Sequence, residues 1–557
     1  MVNRISYLAV LLLFINHFCK AQKTVDNIFH HGVIYTVDSG FNVAEAFAID
    51  KGKIVVVGSN DEILKNFTSS SITDLKGKPV YPGFIDAHCH FYSYGLGLNN
   101  ADLIGTKSFK EVVDIIIKHS KEHPTEWVLG RGWDQNAWTV KEFPDKSLLD
   151  SLFPHTPVFL TRVDGHAAIA NQEALNRANI NILTNVSGGD IVKKKLENGL
   201  SILTGVIIDN AVDIVKKVIP PPNKKEQIQA LNIAQKNCFA VGLTTVDDAG
   251  LDKQVIDLID EMQKNNALKM RVYAMLSATN ENMDFYFKNG KYKTDRLNVR
   301  SFKLYGDGAL GSRGACLLSP YNDKPEQQGF LLQTPDYYKK IIKQCYEHGF
   351  QVNTHCIGDS AVRFILRSYG EQLKEKNDLR WRIEHAQVVN KNDFDLFGRY
   401  NVIPSVQPTH ATSDMYWAED RLGKERLKGA YAYQQLLHQN HFIANGSDFP
   451  VESINPLFGF YAAVVRKDQK AYPKDGFQIE NKLSRKEALK RMTIWAAYSN
   501  FEEKEKGSIE PGKFADFVIL DEDIMKIDEK ELYKVKVYQT YVAGFLVYPQ
   551  SNPNNKK

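Results

Sequence analysis

The chain has 557 residues, of which 43% are hydrophobic and 24% are charged, and its net charge is only +4. This composition is typical of a globular protein with a large core, and the length suits about three or four average domains, or fewer if one is a barrel. The 70 basic and 66 acidic residues nearly balance. No basic block interleaves with aromatic residues, so the sequence argues against a nucleic-acid partner.

The first 21 residues have the pattern of a secretory signal. Arg4 precedes a mostly apolar run over residues 5–18 that is too short to span a bilayer, and Cys19-Lys-Ala-Gln follows it. We predict cleavage after Ala21 and an exported protein, periplasmic or secreted. A lipid anchor at Cys19 is the alternative, although the preceding Asn-His-Phe lacks the small residues that such anchoring favours. No other segment is long and apolar enough to span a membrane.

The cysteines beyond that segment form no disulfide framework. They are odd in number and widely and irregularly spaced. We predict that most of them are buried thiols that pack as small apolar side chains. They are Cys89, Cys238, Cys316, Cys345 and Cys356.

Both ends of the mature chain are strand-like and punctuated by glycine. Residues 28–37 and 46–57 are followed by a strand at Val80, and residues 515–520 and 535–547 repeat the pattern near the other end. This predicts a small β-sandwich built from residues 22–81 and 501–557.

The central body, residues 82–500, alternates strands with helices. An insertion over about residues 100–238 contains helical pieces and few strand signals. The alternation predicts a (β/α)₈ barrel, with a last helix over residues 484–498 that begins at Ser484 as N-cap with Glu487 three residues on. The predicted strands are residues 84–90, 242–246, 269–275, 299–305, 351–355, 380–385, 402–406 and 442–446. The predicted helices between them are residues 253–265, 336–348, 361–374, 391–397 and 430–437.

Metal-binding residue types lie at the ends of these strands. On the first strand, alternation places His88 and His90 on one side, about 7 Å apart along the strand, and Cys89 on the other. Each of these residues alone has an ordinary structural explanation. Together they lie at the barrel face where such folds place their chemistry. The further candidates are Lys303 on the fourth strand, His355 on the fifth, His385 on the sixth and Asp448 after the eighth.

On these residues the sequence resembles the amidohydrolase superfamily of metal-dependent hydrolases, and in particular the branch that includes N-substituted formamide deformylase. The resemblance covers nearly all of the mature chain. It is carried by residues 82–90, 130–135, 162–166, 303–308, 354–355, 383–385, 446–448 and 507–516.

The resemblance implies a centre with one or two metal ions, most often zinc. His88 and His90 would hold the first ion and His355 and His385 the second, with Lys303 bridging them. Because an ammonium group cannot ligate a cation, Lys303 would need to be a neutral amine that has reacted with carbon dioxide to give a carbamate. If Lys303 is instead an ordinary strand-end lysine, the site would be mononuclear.

The same resemblance implies a reaction. The metal would lower the pKa of a bound water from about 16 towards neutrality and polarise a carbonyl. Asp448 would take the proton of that water as general base and later deliver it to the leaving nitrogen.

Five residues near this set are candidates for substrate contact. His166, Trp133 and Asp134 come from the insertion, which can fold over the barrel mouth. Asp307 and Arg313 lie in the glycine-rich loop after the Lys303 strand, where a structural role is an equal alternative. We interpret Glu384, which alternation directs away from His385, as a supporting residue.

The leading hypothesis is therefore hydrolysis of a carbon–nitrogen bond in an amide, formamide or cyclic amide. The alternatives within the same fold are deamination of a heterocycle and hydrolysis of an ester. These reactions differ from amide hydrolysis in the substrate pocket rather than in the metal ligands. A non-catalytic barrel with structural zinc is an alternative of another class. A small molecule is the expected partner, and self-association stays open.

Overall fold

The computed structural model describes residues 22–374 and 377–549. The predicted signal at residues 1–21 and the alternative anchor at Cys19 lie outside the described residues. Within the described part of the chain, no helix is both long and apolar enough to cross a membrane. All five cysteines of the described chain are free, and every one except Cys316 is buried.

Eight parallel strands form the predicted barrel. They are neighbours in chain order, and the eighth lies beside the first. Each predicted strand has a counterpart, although the second continues to Leu251 and the eighth keeps only two residues. The strands are Phe84–Cys89, Leu243–Leu251, Arg271–Ser277, Leu297–Tyr305, Gln351–Cys356, Arg382–His385, Ile403–Val406 and Ala444–Asn445.

Helices follow the barrel strands, as the alternation predicted. A short antiparallel strand, Tyr292–Lys293, also pairs with the fourth barrel strand. The helices that flank the barrel are Phe91–Gly97, Lys224–Ala240, Lys253–Lys264, Asn280–Asn289, Pro335–Glu347, Asp359–Leu373, Phe394–Tyr400, Pro408–Asp414, Ala418–Leu427, Tyr433–Asn440 and Pro456–Val465.

The predicted last helix is two helices, Arg485–Arg491 and Ile494–Ser499. Its start is as predicted, because Ser484 and Glu487 form a reciprocal capping box. The break falls at Thr493, whose backbone is not helical and whose hydroxyl donates to the Leu489 carbonyl 2.6 Å away. Such back-bonding by a threonine competes with the regular helix.

The insertion after the first barrel strand contains a six-stranded sheet, although its sequence has few strand signals. Ala101–Asp102 has only two residues, and Ala167–Ala170 has three alanines, a residue type with weak strand propensity, which accounts for the poor signal of these two strands. In spatial order the strands are Ala101–Asp102, Val128–Trp133, Val158–Arg162, Ala167–Ala170, Ser201–Asp209 and Gly189–Lys195. The helices of the insertion are Phe109–Glu122, Ser147–Leu152, Gln172–Arg177 and Asn210–Lys216.

Two small sheets at the chain ends share an apolar core. The ring of Phe29 in one sheet meets the ring of Phe517 in the other edge-on at 5.0 Å. One sheet consists of Lys53–Gly58, Ala46–Asp50, Asn27–His30 and Ile72–Asp74. The other combines both ends of the chain as Phe545–Tyr548, Val537–Val542, Phe517–Leu520, Pro79–Pro82, Val33–Tyr35 and Val43–Ala44.

A buried ion pair joins the barrel to the second of these sheets. Arg271 of the third barrel strand donates two hydrogen bonds to the Asp516 carboxylate, at 2.5 and 2.9 Å, and its guanidinium lies over the Phe514 ring. Asp516 also accepts the Ala543 backbone N–H at 2.8 Å. Both partners are almost fully buried. Removing one of them leaves the other charge unpaired, which is the costly case for a buried pair.

We expect Asp516→Asn to lower the free energy of unfolding by about 3 kcal/mol, because Arg271 keeps its buried charge without a carboxylate. Urea unfolding followed by circular dichroism measures this. The control is Asp114→Asn, which breaks an exposed pair with Lys110 and should cost less than about 0.5 kcal/mol. Equal effects of the two changes would contradict the structural role of the buried pair.

Candidate metal centre

The structure brings the predicted strand-end residues together at the carboxyl end of the barrel. The ring centroids of His88 and His90 are 5.8 Å apart, and those of His88 and His385 are 4.8 Å apart. The His355 and His385 centroids are 4.5 Å apart. Residues separated by hundreds of positions in the chain thus form one compact group.

The first strand presents two imidazole nitrogens to the same point. The Nδ1 of His88 lies 2.5 Å from Glu384 Oε2, and the Nδ1 of His90 lies 3.1 Å from the Ala249 carbonyl oxygen. Each oxygen can accept a hydrogen bond from an Nδ1–H group, and in that tautomer the Nε2 lone pair is available to a metal ion. Asp448 Oδ1 lies 3.2 Å from His90 Nε2 and 3.4 Å from His88 Nε2. These three donor atoms lie within 4.8 Å of one another.

The loop after the eighth strand holds Asp448 against the first strand. The Asp448 backbone N–H donates to the His88 carbonyl at 2.8 Å. Asp86 accepts the Ser447 hydroxyl at 2.6 Å and the Ser447 N–H at 3.0 Å. Gly446 is required for this approach, since a Cβ there would lie 2.5 Å from the Cβ of His88.

Asp448 is a carboxylate in this setting. Burial raises the pKa of its carboxyl, but hydrogen bonds with His88 and His90 and the charge of His88 outweigh burial and hold the pKa well below its usual range. A buried carboxylate that stays ionised suits both metal ligation and proton acceptance.

His355 and His385 present unpaired nitrogens to the same region. The Nε2 of His355 and the Nδ1 of His385 are buried without a hydrogen-bond partner. Burial lowers the pKa of both imidazoles well below the usual value, so they are neutral and have lone pairs to donate. At His385 the backbone has φ +70°, which breaks the alternation of the strand. Glu384 and His385 therefore both reach the barrel interior.

Lys303 completes the group. Its Nζ lies 3.1 Å from His88 Nε2, and the side chain is buried. Burial lowers the pKa of Lys303 to about 8, although Glu384 and Asp448 oppose the shift. A substantial fraction of the amine is therefore neutral near physiological pH, which is the form that the predicted carbamate requires.

The residues present fit a divalent metal ion. Imidazole nitrogens and a carboxylate are its usual ligands, and the orienting oxygens behind His88 and His90 are the typical second layer of such sites. The unpaired buried nitrogens of His355 and His385 are otherwise unexplained.

Two cavities adjoin the centre. The first, of about 580 Å³, is lined by His90 and Lys303, and the second, of about 480 Å³, by His355, His385 and Asp448. The insertion residues Asp164 and His166 line both cavities, together with Val451. A molecule bound at the centre can therefore extend to either side of it.

His166 is the substrate-contact candidate that the structure places best. Its ring lies 4.9 Å from the His355 ring, and its Nδ1 lies 2.7 Å from Asp209 Oδ1. Asp134 lines the second cavity, where it forms an ion pair with Arg162.

The other three candidates for substrate contact occupy positions that suit a structural role. Trp133 is completely buried inside the insertion, where its indole N–H donates to the Leu160 carbonyl. Asp307 is also fully buried, and its carboxylate accepts the backbone N–H groups of residues 316, 357 and 358. Arg313 pairs with Asp323, and neither Trp133 nor Arg313 lines a described cavity. The structure therefore does not support substrate contact by these three residues.

Sequence reasoning missed His410. It lies on the helix Pro408–Asp414, directly after the seventh barrel strand, and its ring stacks on that of His385 at 5.9 Å. Its Nε2 lies 3.9 Å from Asp448 Oδ2 without a hydrogen bond. Its place just beyond a predicted strand end was the signal that could have found it.

A (β/α)₈ barrel with these residues at its carboxyl end defines a hydrolase of the metal-dependent class. Comparison with known proteins agrees. The sequence profile of the amidohydrolase family matches residues 71–548. The chain therefore belongs to the amidohydrolase family, as the strand-end motifs predicted, and this family implies a divalent metal.

Three relatives illustrate the similarity. Protein LONG AFTER FAR-RED 3 of Arabidopsis thaliana is 33% identical over 551 residues, which cover 95% of this chain and 92% of that protein. N-substituted formamide deformylase of Arthrobacter pascens is 24% identical over 542 residues, 93% of this chain and 97% of the relative. A Pyrococcus horikoshii OT3 metal-dependent hydrolase, described as uncharacterized, has a crystal structure that is 27% identical with a TM-score of 0.74. That similarity covers 90% of this chain and 99% of the solved one.

We expect Glu384→Gln to weaken metal binding about 10- to 100-fold, because the amide no longer fixes the tautomer and orientation of His88. Competition with a chromophoric chelator measures the affinity. Glu502→Gln is the matched control, since Glu502 is equally buried, pairs with Lys506 and lines neither cavity. Equal affinities of the two variants would contradict the role of Glu384.

The pKa of Lys303 is testable by trace acetylation of chelator-treated protein at pH 7 and pH 9. With a pKa of about 8, its neutral fraction rises about tenfold over this interval, whereas that of an ordinary lysine rises about 100-fold. Peptide mass spectrometry of the Lys303 label against added Nα-acetyl-lysine amide gives the ratio. We expect that ratio to fall about tenfold, and a constant ratio would contradict the shift.

Proposed function

We propose that this protein hydrolyses a carbon–nitrogen bond, in an amide, N-formyl compound or cyclic amide, with Asp448 as the proton carrier. The observation that carries the proposal is the buried Asp448 carboxyl group, whose Oδ1 lies 3.2 Å from His90 Nε2 and 3.4 Å from His88 Nε2. A purely structural metal site is closed by protein ligands and has no use for such a group.

The metal would be held by His88 and His90, with His355, His385 and a carbamate on Lys303 available for a second ion. Asp448 shares the point where the first two imidazoles converge. When bound, a divalent ion such as zinc acidifies water and polarises a carbonyl group.

Asp448 would carry out both proton transfers of the reaction. Because its pKa lies well below the usual range, the group is ionised and has a free lone pair, and it could take a proton from the attacking water if a bound metal made that water more acidic. It then delivers that proton to the departing nitrogen, since an amide nitrogen leaves readily only when protonated. His410 Nε2 lies 3.9 Å from Asp448 Oδ2, the carboxylate oxygen that does not face His90.

The substrate-facing residues support a small molecule. The two cavities meet at the centre, and His166 lies between them beside His355. The relative named N-substituted formamide deformylase favours a carbon–nitrogen bond over an ester. Hydrolysis of an ester and deamination of a heterocycle remain the alternatives in the screen below. The signal predicted at residues 1–21 makes export part of the proposal, and sequencing the mature N-terminus tests it.

We expect Asp448→Asn to lower kcat by about 10² to 10⁴, because the amide cannot accept the proton, while His88 and His90 still bind metal. Turnover and metal content are measured on the same preparation. Asp393→Asn is the control, since Asp393 is buried, pairs with Arg363 and lines neither cavity. Full turnover by Asp448→Asn would contradict the proposed role.

A panel of N-formyl, N-acyl and cyclic amides, with esters and amino-heterocycles beside them, tests the reaction type on the metal-loaded protein. We expect turnover of at least one amide class and its loss with chelator. Turnover confined to esters or heterocycles would replace the proposal by one of the alternatives, and no turnover in any class would favour a binding protein.

A further inference from the structure

One arginine in the first cavity has no acidic partner. Arg131 lies on the insertion strand Val128–Trp133, and its Nη2 donates to the Val163 carbonyl at 2.8 Å. Across residues 22–374 and 377–549, no carboxylate oxygen lies within 4.0 Å of its guanidinium. One backbone carbonyl uses only one of the five N–H groups of an arginine.

The acidic side chains of the same cavity are already engaged. Asp164 is paired with Arg162, and Asp209 Oδ1 lies 2.7 Å from His166 Nδ1. Asp213 lies 3.8 Å from Lys216. Arg131 and Lys303 are thus the two basic side chains of the described cavity wall with no carboxylate oxygen within 4.0 Å, and Arg131 is the one that lies outside the candidate metal centre.

Burying the charge of the Arg131 guanidinium without an acidic partner costs free energy. Burial lowers the pKa of Arg131, while Asp448 and Asp164 oppose the shift through their charges. When an anion binds to a guanidinium that is partly desolvated and unpaired, the free energy of the charged group falls strongly. Its planar fork of N–H groups matches a carboxylate with two parallel hydrogen bonds.

The cavity connects this arginine to the reaction centre. His90 and Lys303 line the same cavity as Arg131, so a molecule bound at the guanidinium can also reach the metal centre. The second cavity has a different character, with Leu310, Ile357 and Trp417 in its wall. An anionic group is therefore favoured in the first cavity, and an apolar group in the second.

We propose that Arg131 binds a carboxylate of the substrate, and that the substrates are amides with a carboxylate on one side of the scissile bond and an apolar group on the other, such as N-acyl amino acids. This inference rests on the proposed function, because it names the class of amide. It assigns Arg131 to recognition of the substrate and not to the chemical step.

Matched pairs of N-acyl amino acids and their amides test the proposed role of Arg131 on the metal-loaded protein. The probes are N-formyl-, N-acetyl- and N-benzoyl-leucine and the three corresponding leucinamides, which differ from the acids only in the carboxylate. We measure kcat/KM where a probe is hydrolysed and Kd by calorimetry where it is not. We expect the acids to be preferred about 10- to 100-fold, the usual value of a hydrogen bond to a charged group.

Arg131→Met should abolish this preference and leave the values for the leucinamides unchanged within about threefold. Arg131→Lys should retain part of it, since the charge remains without the planar fork. Arg296→Met is the matched control, because Arg296 is half-buried just before the fourth barrel strand, lines neither cavity, and should leave the preference intact.

The outcomes separate this inference from the proposed function. Acids and leucinamides that perform equally, or an Arg131→Met variant that loses both classes equally, would overturn the role of Arg131 even if amides are hydrolysed. If no probe is turned over but the acids bind more tightly through Arg131, carboxylate recognition stands and the proposed reaction fails.

Discussion

The centre depends on a buried carboxylate that orients a buried imidazole. Glu384 and His88 are both inaccessible to solvent, and Oε2 of one lies 2.5 Å from Nδ1 of the other. A carboxylate in such a place needs a partner for its charge. Arg382 supplies positive charge 3.8 Å from Glu384, and is itself bonded to Asp247. This series of ionic contacts runs through the barrel interior from Asp247 to Glu384, and it ends at His88, whose Nε2 faces the reaction centre.

The surrounding parts of the molecule determine which groups lie next to the Nε2 atom of His88. Asp86 and Gly446 bring Asp448 to within 3.4 Å of it, by a hydrogen bond to Ser447 and by the absence of a side chain, respectively. The insertion reaches over the mouth of the barrel and places His166 beside His355. The same insertion carries Arg131, so the residues that would recognise a substrate come from an element that the barrel itself does not need. In the function that we propose, the chemical step and the recognition of the substrate are therefore assigned to different segments of the chain.

The barrel and the strand-end candidates were predictable from the sequence because both follow local rules. Apolar runs mark buried parallel strands, and polar residues at their ends stand out. His88 and His90 could be paired from alternation alone. The direction of the His385 side chain could not be predicted from alternation. Its positive φ interrupts the alternation of the strand, so that Glu384 also faces the barrel interior. The burial of Trp133 could not be predicted, since an indole on a strand of the insertion has the same sequence signature whether it packs or faces a ligand. The unpaired state of Arg131 depends on which carboxylates fold near it, and no local pattern encodes that.

The most direct test of this account is the metal content of protein purified without added metal, measured by mass spectrometry together with amide hydrolysis. We expect about one equivalent or more of divalent metal for each chain, because the convergent imidazole nitrogens form a preorganised site. Activity should disappear with chelator and return with zinc. Less than about half an equivalent, with no activation on reconstitution, would contradict the claim that the strand-end residues form a catalytic metal centre.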